Sequence, residues 1–264
     1  MAPCVLMLVV ITVYPFVSNL FNSLRDYHLM RPYATRFVWF QNYLDIFRNR
    51  DFWHSLGLSL YFVLIVVLVE TILGFIIATF LAEDFRGRKI FRTIIMLPYF
   101  LTPVAFAFGW RMMYHPTIGV INYMLGKLGL PLVNWLADPS TAMFSMILVD
   151  VWQCTPFMML ILLAGITSLP IEPIEAAKVD GASAWQILWR VNLPALRPIF
   201  IVAVLFRLLD AFKTFDIFMT MTGGGPGDAT EVLNLHAYLY TFRFLNIGYA
   251  STVATIMQIG RAHV

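Results

Sequence analysis

Residues 1–24 carry no charged side chain, and residues 56–81 carry a single one, Glu70. A run of about 20 apolar residues, wound as a helix, crosses a hydrocarbon core of about 30 Å. Similar runs extend from Thr93 to Arg111, from Thr141 to Leu169 and from Ile199 to Met221. A spanning segment must satisfy its own backbone, so these runs predict an all-α membrane protein, a polytopic bundle of about six transmembrane helices. Spans are expected near 2–20, 56–81, 93–111, 141–169, 199–221 and 246–264, all in a single domain over 1–264. The sixth meets Arg261 too soon to cross, and Met1 stands at the edge of the first, so both ends are expected to be trimmed. The first span lacks the basic flank and small-residue cleavage site of a signal peptide.

Composition narrows the class further. Hydrophobic residues make up 60% of the 264 and charged residues 12%, against roughly 25% charged in a soluble domain. That excludes a soluble enzyme, a secreted disulfide scaffold and a disordered regulator. The net charge of +3 comes without the clustered Lys and Arg of a nucleic-acid footprint, so membrane lipid is the expected environment and nucleic acid is not a partner. The five histidines are scattered with no pair at helical spacing, and Cys4 and Cys154 sit in separate apolar runs. No metal site and no catalytic residue is expected. Counting Lys and Arg on alternate sides gives a tie, with Arg86-Gly87-Arg88-Lys89 the densest short-loop cluster.

The loop 170–197 carries more specific chemistry. Pro173 suits a first helical turn, and Glu172 and Glu175 complement the dipole there. Gly181 is placed to end that helix in a left-handed conformation. Ser183 and Gln186 match a capping box that starts a second helix. Trp185, Leu188 and Val191 give it an apolar stripe, and Pro194 is expected to stop it. Such a helical hairpin either lies on the lipid headgroups or docks on a partner.

Glu175-Ala176-Ala177-x-x-Asp180-Gly181-Ala182, followed by Val191-x-Leu193-Pro194 and Pro198, closely resembles the EAA motif of ABC importer permease subunits. Arg86-Gly87-Arg88-x-x-Phe91-Arg92-Thr93 with Leu97-Pro98, Pro116-x-x-Gly119-x-x-Asn122, Asp150-Val-Trp152, and Phe206-Arg-x-x-Asp210-Ala-Phe212-x-x-Phe215-Asp216 leading to Thr222-Gly-Gly-Gly-Pro226-Gly are similar to its carbohydrate-uptake branch. The likeness is to the first subunit of the maltose, trehalose and glycerol-phosphate type. The motif's usual Phe and Ile are here Leu188 and Val191, both still apolar. The resemblance implies that the hairpin is a cytoplasmic coupling loop docking on an ATP-binding subunit through Glu175, Ala176, Ala177, Asp180, Gly181, Ala182, Leu193 and Pro194. It also implies a cytoplasmic N-terminus in a bacterial or archaeal inner membrane. The implied partners are a second permease in a heterodimer, two ATP-binding subunits carrying ATP and Mg, and an extracytoplasmic solute-binding protein. No cofactor is expected in this chain, where no Gly-rich stretch is followed by the Lys-Ser/Thr of a phosphate loop.

Charges inside spans are costly and default to functional hypotheses. Arg207, Asp210, Lys213 and Asp216 alternate in sign every third residue. Arg207 with Asp210 and Lys213 with Asp216 are expected to pair, locking the helix or lining a sugar path. Asp150, Trp152 and Gln153 combine a carboxylate, an indole and an amide. They either contact the solute or, for Asp150, pair with a cation of the fifth span. Glu70 lies about 20 Å into its span and is expected to meet a partner on another helix or subunit. Gly223, Gly224, Gly225 and Pro226 form a tight turn that would face outside, where a solute-binding protein docks. The function expected is inward transport of a sugar or related carbohydrate by alternating access, driven by ATP. The alternatives are a permease for a non-sugar solute, an ion-driven secondary transporter, or a membrane-embedded enzyme.

Overall fold

The structure, a computed structural model, describes residues 2–262. Met1 and residues 263–264, at the margins of the first and sixth expected spans, lie outside the described residues. The helices are α1 (Ala2–Ser23), α2 (Gln41–Arg48), α3 (Arg50–Ala82), α4 (Arg88–Met96), α5 (Pro103–Met113), α6 (Val120–Lys127), α7 (Pro139–Thr167), α8 (Glu172–Val179), α9 (Ala184–Ile187), α10 (Leu193–Ala211), α11 (Asp216–Met221), α12 (Leu233–Phe242) and α13 (Ile247–Ala262). Two short antiparallel strands, β1 (Arg25–Asp26) and β2 (Arg36–Phe37), form a ribbon between α1 and α2.

Among the described residues, α3 and α7 are long and apolar enough to cross a membrane unaided. The run expected as one span over 93–111 is bent: Arg88–Phe100 and Pro103–Met113 meet at 95°. The cause is local. Pro disfavours the helical conformation in the residue before it, and Leu101 and Thr102 are extended ahead of Pro103. The run expected over 199–221 is also divided, with α10 ending at Ala211 and α11 starting only at Asp216. Pro194 does not stop a helix. A π-helical turn over Leu188–Asn192 leads straight into α10, and the Leu193 N–H bonds the Leu188 carbonyl. The wider turn carries the chain past a proline that has no N–H to give.

The chain forms two compact units, 1–61 with 213–264 and 62–212. In the first, Ile46, Phe52, Leu233, Tyr249 and Val253 make the core. The Cβ of any other residue at Gly248 would lie 2.3 Å from the Arg25 carbonyl, so α13 can start against this strand only with glycine. In the second, Ala78 and Leu81 of α3 pack on Met159, Leu162 and Leu163 of α7, with Ile199 and Phe200 of α10 alongside. Gly74 lets α3 and α7 touch backbone to backbone, a Cβ there falling 2.8 Å from that of Met158.

Candidate functional site

The second unit buries one arginine among three carboxylates. Arg207 of α10 is fully buried. Its Nε donates to Glu70 Oε2 at 2.5 Å and its Nη2 to Glu70 Oε1 at 2.9 Å, a bidentate fork. Nη2 also donates to Asp150 Oδ2, and Nη1 reaches Asp210 Oδ2 at 3.2 Å. One planar guanidinium thereby ties α3, α7 and α10 together in the geometry that carboxylates favour. Glu70 and Asp150 are buried, while the Asp210 side chain is 61% exposed.

The Arg207–Asp210 pair expected from spacing is present, and the partner of Glu70 lies on another helix of the same chain. The pairing expected between Lys213 and Asp216 is not made. The helix breaks between Ala211 and Asp216, which destroys the i,i+3 geometry, and both side chains are exposed without an ion pair among the described residues. Trp152 is 40% exposed and packs edge-on against Trp110 at 5.4 Å. Its neighbour Gln153 is buried. Trp110 in turn packs at a tilt against Tyr114 and Tyr114 against Trp135, with ring centroids 5.4 and 5.3 Å apart.

At the end of α7 the chain leaves the core as a hairpin. Gly181 has φ +77°, and the Ala182 N–H bonds the Ala177 carbonyl, closing α8 with a left-handed cap. The capping box is formed: Gln186 N donates to Ser183 Oγ at 3.3 Å, and Ser183 N donates to Gln186 Oε1 at 2.8 Å. Glu175, Ala176, Asp180, Gly181 and Pro194 are exposed, while Ala177, Ala182 and Leu193 are partly covered. Ile187, with Leu188 and Val191 partly covered, faces the protein; Trp185, expected in that stripe, is 67% exposed and rings with Trp189 at 5.4 Å. At 100° per residue the covered side chains of Ile187 and Leu188 centre about 110° away from Trp185, which leaves Trp185 facing outward.

In the first unit, the Gly-rich stretch is a tied turn. Gly223, Gly224 and Gly227 have φ of +60°, +98° and +63°, open only to glycine without strain. Thr230 is buried beneath it, with its Oγ1 2.7 Å from that of Thr222 and donating to the Gly225 carbonyl at 2.8 Å. Gly223 is exposed, Gly224 buried, and Gly225 and Pro226 partly covered. Sequence reasoning passed over His236, which is fully buried here. Its Nδ1 lies 2.7 Å from Glu231 Oε1 and its Nε2 3.1 Å from the Tyr249 hydroxyl. A histidine without a helical-spacing partner gave no signal, because its partners come from the preceding loop and from α13.

Long apolar helices that bury their own charges, with a polar hairpin projecting from their end, define a membrane protein. Residues 70–259 match the family described as "binding-protein-dependent transport system inner membrane component", and the chain belongs to that family. It is a transport permease component, not an enzyme. It is similar to the trehalose/maltose transport system permease protein MalF of Thermococcus litoralis, 36% identical over 97% of this chain and 87% of that one. It is also similar to the sulfoquinovosyl glycerol transport system permease protein SmoG of Agrobacterium fabrum, at 33% over 97% and 83%. In fold it resembles a chain of a bacterial alginate ABC transporter, solved in complex with an alginate pentasaccharide-bound periplasmic protein. The TM-score is 0.85 at 21% identity, covering 99% of this chain and 88% of that one.

Proposed function

We propose that the chain imports a sugar or related carbohydrate by alternating access as one half of a permease heterodimer. Two ATP-binding subunits, which hold the ATP and Mg, would drive it, and an extracytoplasmic binding protein would deliver the solute. The sugar assignment draws on the substrates for which the similar permeases are named. The observation that carries the coupling assignment is the hairpin. Glu175 and Asp180 are exposed there beside Val179, Trp185 and Trp189, apolar side chains that this chain leaves uncovered. A contact whose strength differs between two states is what moves a conformational equilibrium. With the hairpin on the ATPase side, the N-terminus is cytoplasmic.

Of the proposed path residues, Trp152, Asp210, Lys213 and Asp216 offer accessible side chains, and Trp152 presents a ring face of the kind that meets sugar C–H surfaces. Asp150 and Gln153 are covered and act from behind, Asp150 by holding Arg207. The turn at Gly223–Pro226 is the proposed contact for the binding protein. Glu175→Lys in the assembled transporter, reconstituted in proteoliposomes, is expected to insert normally, yet to lose most ATP-driven uptake while hydrolysis continues. Wild-type uptake by that variant overturns the coupling assignment.

A further inference from the structure

Between α3 and α5 the chain builds a short helix with two incompatible sides. α3 ends at Ala82, and its last turns pack on Met159, Leu162 and Leu163 of α7. Ile95 and Met96 of α4 rest on that same cluster. This fixes α4 at the end of α3 and α7 from which the hairpin α8–α9 leaves. Gly87, at φ +96°, turns the chain into α4, and the 95° bend at Leu101–Thr102 turns it out again into α5.

At 100° per residue, Arg88, Lys89 and Arg92 share an arc of about 100°, and Ile90, Ile94 and Leu97 lie opposite. Ile90 and Ile94 are 65% and 57% exposed, and Leu97 and Phe100 are exposed as well. Nothing among the described residues covers that apolar side. On the other side Arg88 is tied to Asp84 at 2.8 Å. Arg86, Lys89 and Arg92 are exposed and form no ion pair among the described residues. Bare apolar side chains beside free cations, at the end of two helices that traverse hydrocarbon, match the boundary between acyl chains and negatively charged headgroups.

We propose that α4 lies in the membrane interface as an anionic-phospholipid site, with Arg86, Lys89 and Arg92 on the headgroups and Ile90, Ile94 and Leu97 among the acyl chains. This rests on the membrane location of the chain alone, and stands whether or not the solute is a sugar or the hairpin docks an ATPase.

The test uses the full chain, purified with whatever subunits accompany it. Retention of phosphatidylglycerol and of phosphatidylcholine is measured by native mass spectrometry and by the rise in thermal midpoint each lipid gives. The wild type is expected to favour phosphatidylglycerol, and Arg86→Gln/Lys89→Gln/Arg92→Gln to weaken that binding on the order of a hundredfold, with helix content and phosphatidylcholine retention unchanged. Equal phosphatidylglycerol retention by wild type and variant overturns the proposal. So does loss of an accompanying ATP-binding subunit with lipid retention intact, which would make the patch a protein contact. Should the variant not fold, the wild type still decides. Its phosphatidylglycerol preference must fall steeply between about 50 mM and about 500 mM salt, and a preference indifferent to salt overturns the site.

Discussion

The arginine cluster and the hairpin proposed for coupling belong to the same compact unit and are both rich in charge, yet they treat charge in opposite ways. In the cluster every group is answered within the chain: Arg207 makes four hydrogen bonds to three carboxylates from three helices. In the hairpin Glu175 and Asp180 are exposed, and the apolar side chains beside them are bare. Charges that hold this fold are answered within it, whereas those of the hairpin are left open. The contrast also separates the candidate residues, since Asp150 is held within the chain and Glu175 is left open.

The largest effect that could break this contrast is Arg207→Ala. It strands two buried carboxylates, and removing one partner of a buried ion pair costs about 3–5 kcal/mol. The variant is expected to accumulate poorly in membranes and to unfold at much lower temperature in detergent. An unfolding midpoint close to wild type would show that the cluster is not the structural lock described. Ser183→Ala sits on the other side of the comparison. It removes the N-cap of α9, a single and mostly exposed turn, and is expected to cost about 1 kcal/mol, felt as faster amide exchange over Ala184–Ile187 and not as global unfolding. If it lowers the midpoint as far as Arg207→Ala does, the hairpin is part of the core and the distinction fails.

How much of this could be read in the sequence follows from the range of the physics involved. The hairpin was legible almost residue by residue, because caps and left-handed turns are set by neighbours within five positions: Gly181, Ser183 and Gln186 do what their types and spacing predict. The cluster was half legible. The Arg207–Asp210 pair is local and was expected, but the fork from Arg207 to Glu70 closes over 137 residues, and no spacing rule reaches that far. The bend in span three and the break in span five escape the sequence for one reason: hydropathy counts apolar residues and is blind to direction. The bend at Leu101–Thr102 lies within an uninterrupted apolar stretch, and the break after Ala211 falls between Asp210 and Lys213 in a stretch that is still apolar on average. Trp185 faces outward because Ile187 takes the covered position in α9, and an apolar stripe counted from residue types does not tell which of its neighbours is covered.

The smallest effect tests whether local caps are as independent of the buried cluster as the hairpin suggests. α7, which carries Asp150, begins at an Asp138 cap whose Oδ1 accepts from the Ser140 N–H at 2.9 Å and from its hydroxyl at 2.8 Å. These bonds favour the carboxylate and hold the Asp138 carboxyl below its ordinary range. A group depressed on folding stabilises the protein at pH above its unfolded value, about 3.9, and that contribution fades as pH falls through the folded one. The midpoint of Asp138→Ala is therefore expected to lie slightly below wild type at pH about 6 and to converge with it as the pH drops toward about 3. Because the residue is exposed and outside the bilayer, Asp138→Ala combined with Arg207→Ala should show additive shifts, as unconnected sites do. A midpoint difference that persists undiminished in acid would mean that the cap acts through packing and not through its charge. A non-additive double variant would mean that α7 transmits strain along its whole length, joining its exposed start to the buried lock at Asp150.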